Sequence, residues 1–246
     1  MAQAIKSEPQ SSMPGGQESR RQLVSFSFYK VMPEWRRLAH AERDEHRREA
    51  AEVLRRWSSF GELRLLTYST VGMRADCDMV LWRICYSLEC LQSMSRELLA
   101  TRLGGYLETK YSYLAMTKRM QYAIKSSREH DDERGFVKAG KAKYLFVYPL
   151  RKTRDWYQLV WEERQRIINE YIQVIDEFPR VRFHIAYSFG IDDPEYVLAY
   201  ESDYPEDFLD MVQQLRDTEN SAYTAVDTPR VTCVQTSVEE MLERLG

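Results

Sequence analysis

One order of elements is written twice along this chain, and that constrains its fold more than any other feature. Leu23-Val-Ser-Phe-Ser-Phe-Tyr-Lys-Val31 alternates and is rich in β-branched and aromatic residues, so it predicts a strand. Residues 41–57 carry Ala50, Ala51, Val53, Leu54 and Trp57 amid dense charge, the pattern of an amphipathic helix. Strands at 63–71 and 78–86 follow, divided by the turn Gly72-Met-Arg-Ala-Asp76, then a helix at 88–101 and an extended segment at 106–122. The second half repeats the series. A strand at 143–148 stops at Pro149, a basic and aromatic loop follows, and a helix runs over 161–178. Strands at 181–189 and 195–200 flank Gly190-Ile-Asp-Asp-Pro194, before a helix at 205–215 and a strand at 230–235. The clearest echo sets Gly72…Asp78-Met-Val-Leu-Trp…Leu91…Leu98 against Gly190…Glu195-Tyr-Val-Leu-Ala…Phe208…Leu215.

Two successive β-α-β-β-α-β units predict an α+β chain of two tandem ferredoxin-like modules, residues 22–122 and 143–246. Their antiparallel sheets either pack face to face or curl into one barrel, and either arrangement leaves room for a pocket between strands and helices. Residues 1–21, rich in Ser, Gln, Gly and Pro, read as a disordered tail. Residues 123–142 are polar and charged and read as a flexible linker between the modules.

A net charge of −3 gives no general reason to bind nucleic acid or an anionic membrane. No apolar run is long enough to span a bilayer and no secretory signal is visible, so a cytoplasmic location is expected. Cys77, Cys85, Cys90 and Cys233 lack metal-site spacing and read as reduced core thiols. His40, His46 and His130 read as surface residues, whereas His184 lies in a strand and is the histidine able to reach an interior site. Phosphate-loop, dinucleotide, nucleophile-elbow and zinc-protease motifs are absent.

The richest stretch is Lys143-Tyr-Leu-Phe-Val-Tyr-Pro-Leu-Arg-Lys-Thr-Arg-Asp-Trp-Tyr157. It places the Tyr148 phenol at a strand end and sets Arg151, Lys152 and Arg154 beside it, cations suited to carboxylates or phosphates. On local evidence Tyr148 is equally an ordinary strand aromatic. Tyr171 sits at the centre of the helical face formed by Ile167, Ile168, Ile172, Ile175 and Phe178, and pattern alone makes it a core aromatic. Arg216 and Ser221 end a helix where they either donate to an anion or face solvent. Tyr111, Tyr113 and Ala115 share one strand face.

Together these segments resemble the chlorite dismutase family, and within it the coproheme decarboxylase branch. The resemblance runs from about residue 22 to the C-terminus through Met32-Pro-Glu-Trp-Arg-Arg-Leu38, Tyr106-Leu-Glu-Thr-Lys-Tyr-Ser-Tyr-Leu-Ala-Met-Thr-Lys-Arg119, the 143–157 stretch, Glu162-Glu-Arg164, Tyr187-Ser-Phe-Gly-Ile-Asp-Asp193 and Leu215-Arg-Asp-Thr-Glu-Asn-Ser-Ala-Tyr223. It implies a duplicated ferredoxin-like barrel, a homopentamer, and haem or coproheme in the C-terminal module. It further implies a haem-dependent oxidoreductase of peroxidase type, which uses hydrogen peroxide to convert two coproheme propionates to vinyl groups in haem biosynthesis. By the same resemblance Tyr148 is the redox tyrosine, while Lys152, Arg216, Ser221 and Tyr113 hold propionates and Trp156 and His184 also contact the cofactor. The family's iron ligand is a histidine seven residues after the arginine of its Glu-Arg motif. Counting from Arg164 reaches Tyr171 instead. That departure leaves Tyr171 or His184 as the iron ligand, and leaves open a haem- or porphyrin-binding, or haem-free, non-catalytic member.

Overall fold

A computed structural model describes residues 20–119, 122 and 136–246. In the first half, strand β1 (Leu23–Val31) leads into helices α1 (Pro33–Arg36) and α2 (His40–Ser59). Strands β2 (Leu63–Ser69) and β3 (Met79–Cys85) follow, then helix α3 (Leu88–Leu99) and strand β4 (Leu107–Met116). The second half comprises β5 (Tyr144–Lys152), α4 (Arg154–Gln158), α5 (Trp161–Asp176), β6 (Arg182–Tyr187) and β7 (Tyr196–Ser202). Helix α6 (Pro205–Asp217), the short β8 (Thr224–Val226), β9 (Val231–Gln235) and α7 (Val238–Glu243) complete it.

The strands form one antiparallel sheet in the order β7-β6-β4-β1-β3-β2-β9-β5-β8, and a further β5–β7 pairing closes eight of them into a ring. Each half contributes the same arrangement, β4-β1-β3-β2 in the first and β9-β5-β7-β6 in the second. The halves join at Met116↔Tyr187 and at Tyr68↔Gln235 and Ser69↔Val234. The sheet therefore curls rather than stacks, and the ring has no long open edge.

The echo seen in the sequence has a structural counterpart. Gly72 and Gly190 occupy equivalent turns with φ of 81° and 69°, a region that glycine adopts without a Cβ penalty. The Asp78 carboxylate accepts from the Val31 N–H at the end of β1, and Glu195 accepts from the Lys152 N–H at the end of β5. Each acid ties the turn of its module to the far end of the module's first strand.

Alternation along the strands divides the apolar side chains between two faces. Phe26, Phe28, Trp82, Ala115, Val147 and Ala199 fill the barrel interior. On the outer face, Trp35, Leu54, Met94, Leu98 and Met241 pack between the first half's strands and helices α2, α3 and α7. Phe146, Tyr148, Ile172, Ile175, Tyr200 and Met211 do the same under α5 and α6. Fully burying an aliphatic side chain of this size stabilises by roughly 1.5–3 kcal/mol, so helix docking, not propensity, holds these helices in place.

Four local differences from the sequence reading have physical reasons. Strand β5 continues through Pro149 to Lys152, because β9 pairs with it only as far as Val147 and a missing N–H there breaks no ladder to β9. Residues Arg154–Gln158, read as loop, form the helical turn α4. His46 is a correction: it is buried against the Tyr106 ring, on the α2 face that also carries Ala50 and Leu54. Part of the segment read as linker is described, and in it Val137 and Ala139 are buried in the barrel interior. Residues 123–135, His130 included, and residues 1–19 lie outside the described residues. All four cysteines are free and buried, as expected. No helix among the described residues is long and apolar enough to cross a membrane.

Candidate functional site

Period two in the second-half strands aims Tyr148, Leu150 and Lys152 of β5, Phe183, Ile185 and Tyr187 of β6, and Tyr196 and Leu198 of β7 outward, beneath α5 and α6. Helix α5 starts with Glu162 and Glu163 in its first turn, where the helix dipole favours acids, and lays Ile168, Tyr171 and Ile172 over this floor. Val212, Leu215 and Arg216 of α6 close a third side, followed by Asn220 and Ser221. These walls enclose about 960 Å³ of space, part of it open to solvent. A cavity with an apolar lining and a few convergent polar groups is the usual form of a small-molecule site.

The polar groups gather in two places. Lys152 is buried at one end, its Nζ donating to the Asn220 carbonyl at 3.1 Å and to Asn220 Oδ1 at 2.7 Å. It also lies 4.7 Å from the centre of the Trp156 ring. Both of its hydrogen-bond acceptors are neutral. Desolvation lowers its pKa to about 8, with the Glu195 charge opposing. Nearby, Arg216 and Arg230 both donate to Asp227 Oδ2 at 2.6 Å, and Arg230 stands 4.7 Å over the Tyr148 ring. Burial raises the Asp227 carboxyl, but the two guanidiniums outweigh it and hold that acid below its ordinary value.

The second group consists of phenols. Tyr148 and Tyr200 lie on the same face of adjacent strands, their rings stacked with centroids 5.9 Å apart. The Tyr171 hydroxyl reaches down from α5 to within 2.8 Å of the Tyr200 hydroxyl. Burial raises all three pKa values, Tyr200 most clearly, so each is a neutral phenol at ordinary pH.

The structure thus brings Tyr148, Lys152, Trp156, Tyr171, Arg216 and Ser221 around one cavity. It places Tyr113 and His184 elsewhere. Tyr113 packs edge-on to Phe28 in the barrel interior, with its hydroxyl lacking a partner there. His184 points to the same interior, where its Nε2 bonds Glu201 at 2.9 Å and its ring meets Trp82. Ile185, one position along, faces the cavity instead. Sequence reasoning did not single out Tyr187, Tyr196, Tyr200, Asn220, Asp227 or Arg230. Asn220 neighbours Ser221 in a stretch already noted, and the alternation of β7 carried the signal for Tyr196 and Tyr200.

The chlorite dismutase family model matches residues 43–236, more than half the chain and all of the cavity's walls. The chain belongs to the chlorite dismutase family. Among its relatives, the coproheme decarboxylase of Mycolicibacterium smegmatis is 28% identical over 200 residues, covering 80% of this chain and 84% of that protein. The chlorite dismutase of Ideonella dechloratans is 25% identical over 230 residues, 91% of this chain and 80% of the relative. The fold is also that of solved structures. A mutant chlorite dismutase from Candidatus Nitrospira defluvii superposes with a TM-score of 0.82 at 21% identity, covering 91% of this chain and 95% of its own. In this chlorite dismutase family chain the cavity is built entirely on the second half and on Tyr122, which precedes it.

Proposed function

We propose that this cavity binds coproheme and that the chain converts two of its propionates to vinyl groups with hydrogen peroxide. The observation that carries the reading is the convergence of Lys152, Arg216, Ser221 and the Tyr148 phenol on a single apolar cavity. Relatives named coproheme decarboxylase and chlorite dismutase support a haem-related activity, and the decarboxylase is one to which this chain is 28% identical. On this reading the two halves are tandem ferredoxin-like modules, the second of which carries the ring, and the chain assembles as a homo-oligomer.

The residues fit the two parts of such a ligand unequally. Its carboxylates meet an ammonium, guanidiniums and a hydroxyl, the donors that pair best with acids. Its metal meets neither imidazole nor thiolate among the cavity's walls, and Tyr171 is the oxygen donor that α5 offers. Phenolate does serve as a haem ligand, but Tyr171 is held protonated by burial and bonded to Tyr200.

When bound, the ring's iron supplies the oxidising chemistry with peroxide. The chain's part is to hold the carboxylates through Lys152, Arg216 and Ser221 and to exclude water with Ile168, Ile172, Ile185 and Leu198. A propionate that becomes a vinyl group gives up CO₂, one hydrogen atom and one further electron. Tyr148 is an oxidisable group of the cavity floor; once the peroxide chemistry has oxidised it to a phenoxyl radical, it takes that hydrogen atom and returns to the phenol. The neutral, bonded state of Tyr171 favours a second reading, a tetrapyrrole binder without turnover. Titration with ferric coproheme and with metal-free coproporphyrin, each followed in the Soret region, tests the shared premise. Micromolar binding of both supports the cavity assignment, and binding of neither overturns both readings.

A further inference from the structure

We propose that Tyr148, Tyr200 and Tyr171 form a relay that passes a hydrogen atom between the sheet wall and the helix wall of the cavity. The relay builds on the role given to Tyr148 above, but it requires no particular ring in the cavity.

Tyr200 is the middle member: its ring stacks on that of Tyr148 on β5, centroids 5.9 Å apart, and its hydroxyl lies 2.8 Å from that of Tyr171 on α5. A phenol has one proton and two acceptor lone pairs, so the Tyr200 hydroxyl can either donate to Tyr171 or accept from it. Its ring is fully buried and fixed by Phe183 at 4.9 Å and Phe208 at 5.3 Å between centroids. No carboxylate is hydrogen-bonded to any of the three hydroxyls among the described residues. Asp227, whose charge acts on Tyr148, is engaged by Arg216 and Arg230.

That arrangement decides how charge moves. Removing an electron alone from a phenol here leaves a cation in an apolar site beside the Arg230 guanidinium, which opposes it. Moving the electron and proton together creates no charge. When Tyr148 is a phenoxyl radical, the O–H bond of Tyr200 breaks and an O–H bond forms on Tyr148, leaving the unpaired electron on Tyr200. Repeating the exchange with Tyr171 carries it to the helix. Reactants and products are alike in kind, so each step is close to balanced in energy. An oxidising equivalent placed on the cavity floor is then held across three sites and is open to reduction from either wall.

The test places a trap at the far end. In the full chain, Tyr171→3-aminotyrosine supplies an easily oxidised residue at that position. Azide radicals made by pulse radiolysis, small enough to enter the cavity, serve as the one-electron oxidant, each becoming azide while the proton goes to buffer. The relay predicts an aminotyrosyl signal that falls several-fold when Tyr148→Phe or Tyr200→Phe is added. Equal yields in all three proteins would overturn it, since the trap would then be oxidised directly. Tyr200→2,3,5-trifluorotyrosine separates conduction from structure, because it keeps the hydroxyl but is harder to oxidise. Loss of signal in that variant, with unchanged circular dichroism, supports the relay. Full signal there contradicts it. Failure of coproheme to bind, by contrast, would overturn the proposed function and leave these outcomes unaffected.

Discussion

The Tyr171 hydroxyl lies 2.8 Å from that of Tyr200, where the resemblance to the family leads one to expect a metal-ligating histidine. A side chain hydrogen-bonded inside the protein and held neutral by burial is a weak donor to iron. Exchanging it for imidazole supplies a neutral nitrogen ligand that needs no deprotonation at ordinary pH. Tyr171→His is therefore expected to tighten ferric coproheme binding by about tenfold or more, on the order of 1.4 kcal/mol, and to shift the Soret band. An unchanged spectrum and affinity would place Tyr171 away from the metal.

Lys152 makes ligand binding depend on pH. Its ammonium persists only below a pKa of about 8, so affinity for a propionate-bearing porphyrin should fall as pH rises through that value. The decline should vanish in Lys152→Met, with weaker binding throughout. A pH-independent wild-type affinity between pH 7 and about 9 would contradict this role.

The same lysine affects stability with the opposite sign. Its folded pKa is depressed from 10.5 to about 8, so the unfolded chain holds more protons between those values and stability rises with pH across that window. Below it the native state carries the full penalty of a desolvated charge, on the order of 3 kcal/mol. Lys152→Met should accordingly be more stable than wild type at pH 7 in urea denaturation, with the gain shrinking toward pH 10. A destabilised variant at pH 7 would show that the bonds to Asn220 outweigh desolvation.

Arg216 and Arg230 share the single carboxylate of Asp227, which offsets part of the positive charge at the cavity. Asp227→Asn should raise affinity for metal-free coproporphyrin several-fold and steepen its decline with salt, since the arginines are partly exposed and screened. Isothermal titration at two ionic strengths checks this. Weaker binding in the variant would mean that Asp227 is needed to hold the guanidiniums in place.

Glu201 supports the barrel from inside. Fully buried, it accepts from His184 Nε2 at 2.9 Å, Gly140 N at 2.7 Å and Lys141 N at 3.1 Å. Glu201→Ala strands three donors, at a cost of about 3 kcal/mol. For a chain of this length that lowers Tm by roughly 6–12 °C, measurable by calorimetry. A Tm within a degree of wild type would show that water or rearrangement replaces the carboxylate.

How much of this was legible depended on distance along the chain. Tyr148, Lys152 and Trp156 are close in sequence and announced themselves as phenol, cation and aromatic at a strand end. Arg216 and Ser221 were visible as a helix end. The repeat of elements was readable because hydrophobic period changes between strand and helix, and because Gly72 and Gly190 mark equivalent turns. Tyr200 was not, since nothing local says that a strand-end tyrosine will stand between Tyr148 and Tyr171, which lie on other elements. Asp227 and Arg230 reach the cavity only because β9 returns beside β5. His184 was misleading for a simpler reason: with Ile185 facing the cavity, strand alternation sends its neighbour into the barrel.

The most direct measurement of the proposed function is mass spectrometry of ferric coproheme incubated with the chain and hydrogen peroxide, beside Tyr148→Phe. The account predicts stepwise conversion of two propionates to vinyl groups by the wild type. It predicts unconverted coproheme, bound with similar affinity, in the variant. Coproheme that binds and survives peroxide with all four propionates intact in the wild type would contradict decarboxylation and leave a tetrapyrrole-binding protein.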